Sequence, residues 1–149
     1  MVIVFLEVEG RIVGVIYSQR ITSVAALENI TFPSVPELHS PQGTVIQLLG
    51  MNVLPEMQNR GLGNQFLDFM LKLFALKGGV ETVAGITRCR DYVQHWQMPF
   101  ADYIQQHNQQ GQPLDPILRF HTSHGAKIRQ LVPDYRPEDT ENLGTGVLN

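Results

Sequence analysis

The sequence predicts an α/β domain, and three observations predict it. Apolar runs of strand length recur at Val2 to Val8, Arg11 to Ser18, Val45 to Val53 and Thr82 to Thr87. The third of these leads into a glycine pair, Gly61-Leu62-Gly63. The segment after the pair has helical period: Phe66, Leu67, Met70, Leu71, Leu73 and Phe74 recur at three- and four-residue steps and give one apolar face.

Taken in order, the first two runs are joined by Glu9-Gly10, a turn pair that predicts a hairpin. The apolar start, Met1 to Leu6, is too short to span a membrane and lacks the basic flank of a signal peptide, so it belongs to the first strand. Ile21 to Gly43 carries three prolines and several small polar residues, as a long connection does, with a short helical turn around Ser23 to Glu28. Val45 to Val53 is apolar and partly β-branched, the pattern of an inner strand. Gly78-Gly79 stops the following helix after Lys77. Thr82 to Thr87 is a short buried strand, followed by an amphipathic run through Tyr92, Trp96, Phe100, Tyr103 and Ile104 in which Pro99 kinks or restarts a helix. Gln105 to Gln112 is polar without period and reads as a solvated loop. Helix returns from Pro116 to Ala126, Lys127 to Tyr135 resembles a strand, Arg136 to Asn142 a loop, and Gly144 to Leu148 the start of a last strand.

A chain of 149 residues, 43% of them hydrophobic, fits one domain with a real core. Its net charge of -3 argues against a general nucleic-acid binder and leaves Arg60, Arg88, Arg90, Lys127 and Arg129 to be judged singly. The one cysteine, Cys89, rules out an internal disulfide and points to a reducing, cytoplasmic compartment; with no motif around it, it reads as a packing thiol rather than a nucleophile. The histidines lack the clusters that zinc requires, so no metal is expected.

The glycine loop carries the strongest chemical signal. Gly61 and Gly63 have no Cβ, so backbone can approach an anion while the first amides of the next helix and its dipole point at the charge. Arg60 adds a forked donor. A glycine pair alone is more often a plain turn than an anion site. The dinucleotide fingerprint fits less well, because Phe66 stands at its third glycine position. The run Gln58-Asn59-Arg60-Gly61-Leu62-Gly63 is similar to the Q/R-x-x-G-x-G/A motif of the GCN5-related N-acetyltransferase (GNAT) superfamily. That resemblance covers most of the chain. It implies a GNAT acyl-CoA-binding fold with a mixed central sheet flanked by helices, and a coenzyme A thioester, malonyl-CoA or acetyl-CoA, held by Val53, Gln58, Arg60, Gly61, Leu62, Gly63 and Asn64. It also implies that residues 1–149 form a single GNAT-like domain that is amino-terminally incomplete, lacking the first strand and first two helices that precede the hairpin in the superfamily.

Ordinary superfamily members carry an L/F-Y-x-x-x-G-F pattern whose Tyr acts toward the departing thiolate. Here the stretch is Phe120-His121-Thr122-Ser123-His124-Gly125-Ala126, with the spacing kept, His121 in place of Tyr and Ala126 in place of Phe. A neutral imidazole both accepts and donates protons near neutral pH, which suits protonation of an enolate. Together with Ile86-Thr87-Arg88-Cys89-Arg90-Asp91-Tyr92 and Val132-Pro133-Asp134-Tyr135-Arg136-Pro137-Glu138-Asp139, this stretch resembles the GNAT-like loading domains of modular polyketide synthases. The resemblance implies decarboxylation of malonyl-CoA, or of malonyl on a carrier protein, to an acetyl starter, with transfer of the acetyl group to an acyl carrier protein as a further assigned step. Carried over by position, the catalytic threonine matches Thr87, the catalytic histidine His121 and an arginine Arg136; an active-site tryptophan of these domains belongs to the amino-terminal part, and Trp96, in a different helix, does not replace it. In that frame the pantetheine arm slots between the strands Val45 to Val53 and Thr82 to Thr87, and Thr87 with backbone amides near Val53 stabilises charge on the thioester oxygen.

Other readings of the residues stay open. Thr87 also suits an ordinary strand end, His124 a cation near the last carbonyls of its helix, and Arg136 a solvated charge or a partner of Glu138 or Asp139, against a role in gripping a substrate carboxylate or carrier phosphate. For the whole chain the alternatives are a general acyl-CoA-dependent N-acetyltransferase and a non-catalytic acyl-CoA or carrier-protein binding remnant. Arg88, Arg90 and Lys127 are the cations expected to meet an acidic carrier protein. No nucleic acid or membrane partner is expected.

Overall fold

Two residues turn the first strand back on itself. Glu9 and Gly10 both take positive φ, +50° and +77°, the backbone a two-residue hairpin needs to match strand twist. The computed structural model describes residues 1–149. Strands β1 (Val2–Val8) and β2 (Arg11–Ile21) pair antiparallel across that turn. β2 runs on past Ser18, the end expected from sequence, because β3 (Val45–Val53) pairs with it as far as Ile21↔Val45. The chain divides into two compact units, one of Met1–Val24 with Leu38–Gly85, the other of Ala25–Glu37 with Ile86–Asn149.

In the first unit β3 also pairs parallel with β4 (Thr82–Thr87), over Val45↔Thr82 to Leu48↔Gly85. Helix α1 (Leu62–Leu76) makes the crossover between them. Its residues Phe66, Met70 and Phe74 stand four apart on one face and are buried with Ile16 and Ile46 of the sheet. Each such side chain contributes about 2–3 kcal/mol by leaving water, so this stripe supplies the main cohesion of the unit. Gly43 permits close approach of two backbones, since a Cβ there would meet Ile21 O at 2.2 Å. Arg20 ties the same region down by donating to Gly43 O at 3.1 Å and Gly78 O at 3.0 Å.

In the second unit the last residues of β4, Ile86 and Thr87, pair antiparallel with β6 (Gly146–Leu148), which pairs with β5 (Gln130–Val132). The core joins Cys89, Tyr92, Phe100, Tyr103, Ile104, Leu118 and Val147. The amphipathic run from Tyr92 restarts at Pro99, one of the two outcomes expected there, but neither half is a full helix. It breaks into a 3-10 turn (Tyr92–His95) and the four-residue α2 (Phe100–Tyr103), with Pro99 at the cap of α2. Tyr92 and Phe100 stack at 4.0 Å, whereas Trp96 is 51% exposed and donates its indole N–H to Glu141 O. The strand expected over Lys127 to Tyr135 shrinks to three residues, because Pro133 has no N–H to offer a ladder and Asp134 turns away at φ +57°. The connection after β2 contains two 3-10 turns, Val24–Leu27 as expected and Phe32–Leu38, which the sequence did not suggest.

Candidate functional site

The cofactor-binding residues read from the sequence all fall between the end of β3 and the start of α1. Val53 closes β3, and its carbonyl accepts from Gln58 Nε2 at 2.9 Å, so the motif's glutamine folds back and fixes the loop. A 3-10 turn (Pro55–Met57) and Asn59 at φ +62° reverse the chain. Gly61, at φ +75°, is the N-cap of α1, and nothing lies within 4 Å of where its Cβ would be. The first bond of the helix runs from Gln65 N to Gly61 O at 3.1 Å, so the amides of Leu62 and Gly63 precede the ladder. Asn64 is exposed in the same first turn. No side chain caps this end, no acidic residue occupies the first turn, and Arg60 is exposed beside it. Donors, positive dipole and open space at one helix end fit the diphosphate of a coenzyme.

The three residues read as catalytic or substrate-binding lie in the second unit. Thr87 ends β4, opposite Val147 of β6, and its Oγ1 accepts from Asn149 Nδ2 at 3.0 Å. His121 lies on α3 (Pro116–Ser123), three residues after the buried Leu118 and so on the face turned toward the core that also holds Val147. Helix was expected as far as Ala126. Instead α3 ends at Ser123, because Gly125 takes φ +93° and two bonds, Gly125 N to Thr122 O and Ala126 N to His121 O, close a Schellman cap. The four-residue spacing of histidine to glycine is therefore the spacing of the third-last helical residue to the left-handed position after the cap.

Burial first, and then His124 alongside, push the His121 pKa down to about 4. The imidazole is neutral at physiological pH, with one nitrogen able to donate and the other to accept. Arg136 pairs with neither Glu138 nor Asp139. Its guanidinium stacks 3.7 Å over the Phe32 ring, and Phe32 in turn donates its N–H to Tyr135 O and meets the Tyr135 ring edge-on. A guanidinium stacked by its face still presents N–H donors at its edge, one of them toward the Tyr135 hydroxyl and the rest able to meet a planar anion.

Arg88, expected to face a carrier protein, is instead claimed by two carboxylates: it donates to Asp139 at 3.0 and 3.1 Å and to Glu141 at 2.9 Å, which holds Asp139 below the usual carboxylate range. Arg90 pairs with the neighbouring Asp91. Lys127 and Arg129 stay exposed. Burial raises the Cys89 thiol well above its ordinary value, so it is packing rather than a nucleophile. No group of three or more His, Cys, Asp or Glu is placed to hold a metal ion, and no helix is long and apolar enough to cross a membrane.

Two positioning groups escaped the sequence reading. Asp115 is 1% exposed and caps α3 by accepting from Ile117 N and Leu118 N, while its second oxygen accepts from Asp91 N at 3.0 Å and Tyr103 OH at 2.8 Å. The pair Asp115-Pro116, a capping residue before a proline at the first helical position, was the signal for it. Asn142, wholly buried, clasps both backbone polar groups of Cys89 and also donates to Asp139, fixing the chain two residues after Thr87; nothing local marks it.

No protein-family model and no curated protein matches the chain. Solved structures do. The loading GNATL domain of CurA from Lyngbya majuscula is 53% identical with a TM-score of 0.94, over 97% of this chain and 72% of that one. The GphF GNAT-like decarboxylase, solved with isobutyryl-CoA, is 41% identical with a TM-score of 0.88, over 97% of this chain and 74% of that one. A malonyl-CoA decarboxylase from Rhodopseudomonas palustris, 13% identical with a TM-score of 0.64 over 92% of this chain and 43% of that one, shares the fold alone. With an uncapped glycine-led helix after β3, a histidine where the superfamily places tyrosine, and identities of 53% and 41% over nearly its whole length, the chain belongs to the GNAT-like (GNATL) loading-domain family of the GNAT superfamily.

Proposed function

We propose that residues 1–149 work as one GNAT-like domain that decarboxylates a malonyl thioester, malonyl-CoA or malonyl on an acyl carrier protein, to the acetyl thioester that starts a polyketide chain. The observation that carries this reading is the 41% identity to a GNAT-like decarboxylase, joined to a neutral His121 at the position where a transferase would hold a tyrosine. Arg60 and the amides of Leu62 and Gly63 are the groups that grip the coenzyme, and Thr87 and His121 are the reacting groups.

Loss of carbon dioxide from a malonyl thioester needs no strong base. The bond from the α-carbon to the carboxylate breaks, its electron pair moves into an enolate, and the enolate takes one proton at carbon. Thr87 donates its hydroxyl proton in a hydrogen bond to the thioester oxygen as negative charge develops there, a contribution of about 3 kcal/mol for a well-placed donor. His121 supports the protonation step. The incoming malonyl carboxylate raises the His121 pKa, so the imidazole takes up a proton from solvent; the imidazolium gives that proton to the α-carbon of the enolate and is neutral again once the carboxylate has left as carbon dioxide. Arg136 presents its fork to the substrate carboxylate or to the carrier's phosphate. With Arg88 and Arg90 already paired, Lys127 and Arg129 are the cations left to meet an acidic carrier. The single, buried thiol suits a cytoplasmic setting.

The test is incubation of the chain with malonyl-CoA in deuterated water. The expected product is acetyl-CoA carrying one solvent deuteron, formed about 100-fold more slowly by Thr87→Val and His121→Gln. Malonyl-CoA left intact by a protein that acetylates an amine from acetyl-CoA would overturn the reading in favour of a transferase.

A further inference from the structure

The residue that sets the direction of the Thr87 hydroxyl is Asn149. Thr87 and Val147 are cross-strand partners, and Asn149 lies two residues beyond Val147, so its side chain points to the same side and is the diagonal neighbour of Thr87. Asn149 Nδ2 lies 3.2 Å from Val147 O and 3.0 Å from Thr87 Oγ1. A backbone carbonyl can only accept, so the nitrogen of the Asn149 amide, and not its oxygen, must face Val147. The same nitrogen reaches Thr87, whose oxygen is therefore the acceptor. A threonine hydroxyl has two lone pairs and one proton. With a lone pair engaged by Asn149, the proton is left for another acceptor, and donation into the oxygen polarises the O–H toward giving it.

Resting on the assignment of Thr87 to the thioester oxygen made above, we propose that Asn149 is the positioning residue for Thr87, holding the threonine hydroxyl as a donor aimed at the developing oxyanion. Replacement by Asp is nearly isosteric but reverses the polarity: a carboxylate accepts the Thr87 proton and removes it from the substrate. Replacement by Ala leaves the hydroxyl free to rotate.

The experiment measures malonyl-CoA decarboxylation and thermal unfolding for Thr87→Val, Asn149→Ala, Asn149→Asp and the double variant Thr87→Val/Asn149→Ala. Thr87→Val is expected to lose about 100-fold in kcat. Asn149→Ala loses roughly tenfold in kcat with KM unchanged, as misorientation of one donor does. Asn149→Asp falls to the level of Thr87→Val, and the double variant falls no further than Thr87→Val alone, because the two residues act as one device. A slow Thr87→Val beside Asn149 variants that turn over at the parent rate would overturn the positioning role and leave the mechanism standing. A Thr87→Val that turns over at the parent rate would overturn the assignment of Thr87, and that of Asn149 with it. A rise in KM with a large drop in melting temperature for Asn149→Ala would show a structural role instead. A readout free of turnover accompanies these: in the nitrogen-15 spectrum of the chain, one Asn149 side-chain amide proton moves upfield in Thr87→Val, and an unmoved resonance would overturn the hydrogen bond itself.

Discussion

Asp115 is the point at which one substitution should cost the second unit most. Its carboxylate accepts four hydrogen bonds, two from the first turn of α3 and one each from Asp91 N and Tyr103 OH, at a site 1% exposed. Asp115→Ala removes the helix cap, which costs about 1 kcal/mol. It also leaves the Asp91 amide and the Tyr103 hydroxyl without their acceptor, at roughly 1–2 kcal/mol each for groups shut away from water. The sum, about 3–5 kcal/mol, is a large part of the stability of an ordinary domain, and it lowers the melting temperature by roughly 10–15 °C at this chain length. Asp115→Asn separates the terms. Its remaining oxygen still caps α3 and the Tyr103 hydroxyl can turn to accept, but the new amide faces the Asp91 N–H, so a loss of about 1–3 kcal/mol remains. Thermal and urea unfolding followed by circular dichroism measure both. An Asp115→Ala protein within about 1 kcal/mol of the parent would refute the reasoning, and would mean that the helix carrying His121 is held by its apolar face alone.

Two further outcomes concern the site itself. Because the His121 pKa falls from the ordinary 6.5 to about 4, the unfolded chain binds a proton between those values that the folded chain refuses. Stability is therefore full above pH 6.5 and declines as pH falls toward 4, by at most about 3 kcal/mol at roughly 1.4 kcal/mol per unit, less for the part of the ring that water reaches. Urea unfolding across that range should show a flatter pH dependence in His121→Gln; an identical slope in the variant would assign the effect to other groups. In the glycine loop, Gly61 sits at φ +75° with open space where its Cβ would be, so the cost of Gly61→Ala is conformational, about 1 kcal/mol, rather than steric. The expected result is a raised KM for malonyl-CoA that Gly61→Asn largely restores, since asparagine tolerates the left-handed conformation; equal KM values in all three proteins would remove the loop from coenzyme binding.

What the sequence disclosed, it disclosed through local signals. The hairpin turn Glu9-Gly10, the bounds of β3 and β4, and the start and stop of α1 were legible because glycine positions and residue period report on a few neighbours at a time. The segment from Tyr92 to Ile104 misled for the opposite reason: its aromatic side chains are buried by short turns on either side of Pro99 and not by helical period. The same holds within the site. The stretch from His121 to Ala126 carried the family's spacing in a few adjacent residues, though its Gly125 ends α3 at Ser123 and not at Ala126, whereas the groups that hold Thr87 and its neighbours come from far along the chain. Asn149 reaches across 62 residues to Thr87, and Asn142 across 53 to Cys89, distances at which an asparagine in the sequence looks like any other polar residue. The pairing of Arg88 with Asp139 and Glu141 was hidden in the same way, which is why its charge looked available to a partner.

The cap that ends α3 has a wider meaning. The two bonds that close it, from Gly125 and Ala126 to the carbonyls of Thr122 and His121, involve backbone only. The frame is thus indifferent to which side chain stands at position 121. A tyrosine and a histidine would leave the main chain at the same height and bearing, so a phenol can be exchanged for an imidazole there with the scaffold's fastening untouched. Where the side chain at position 121 stands and what it is made of are here set separately.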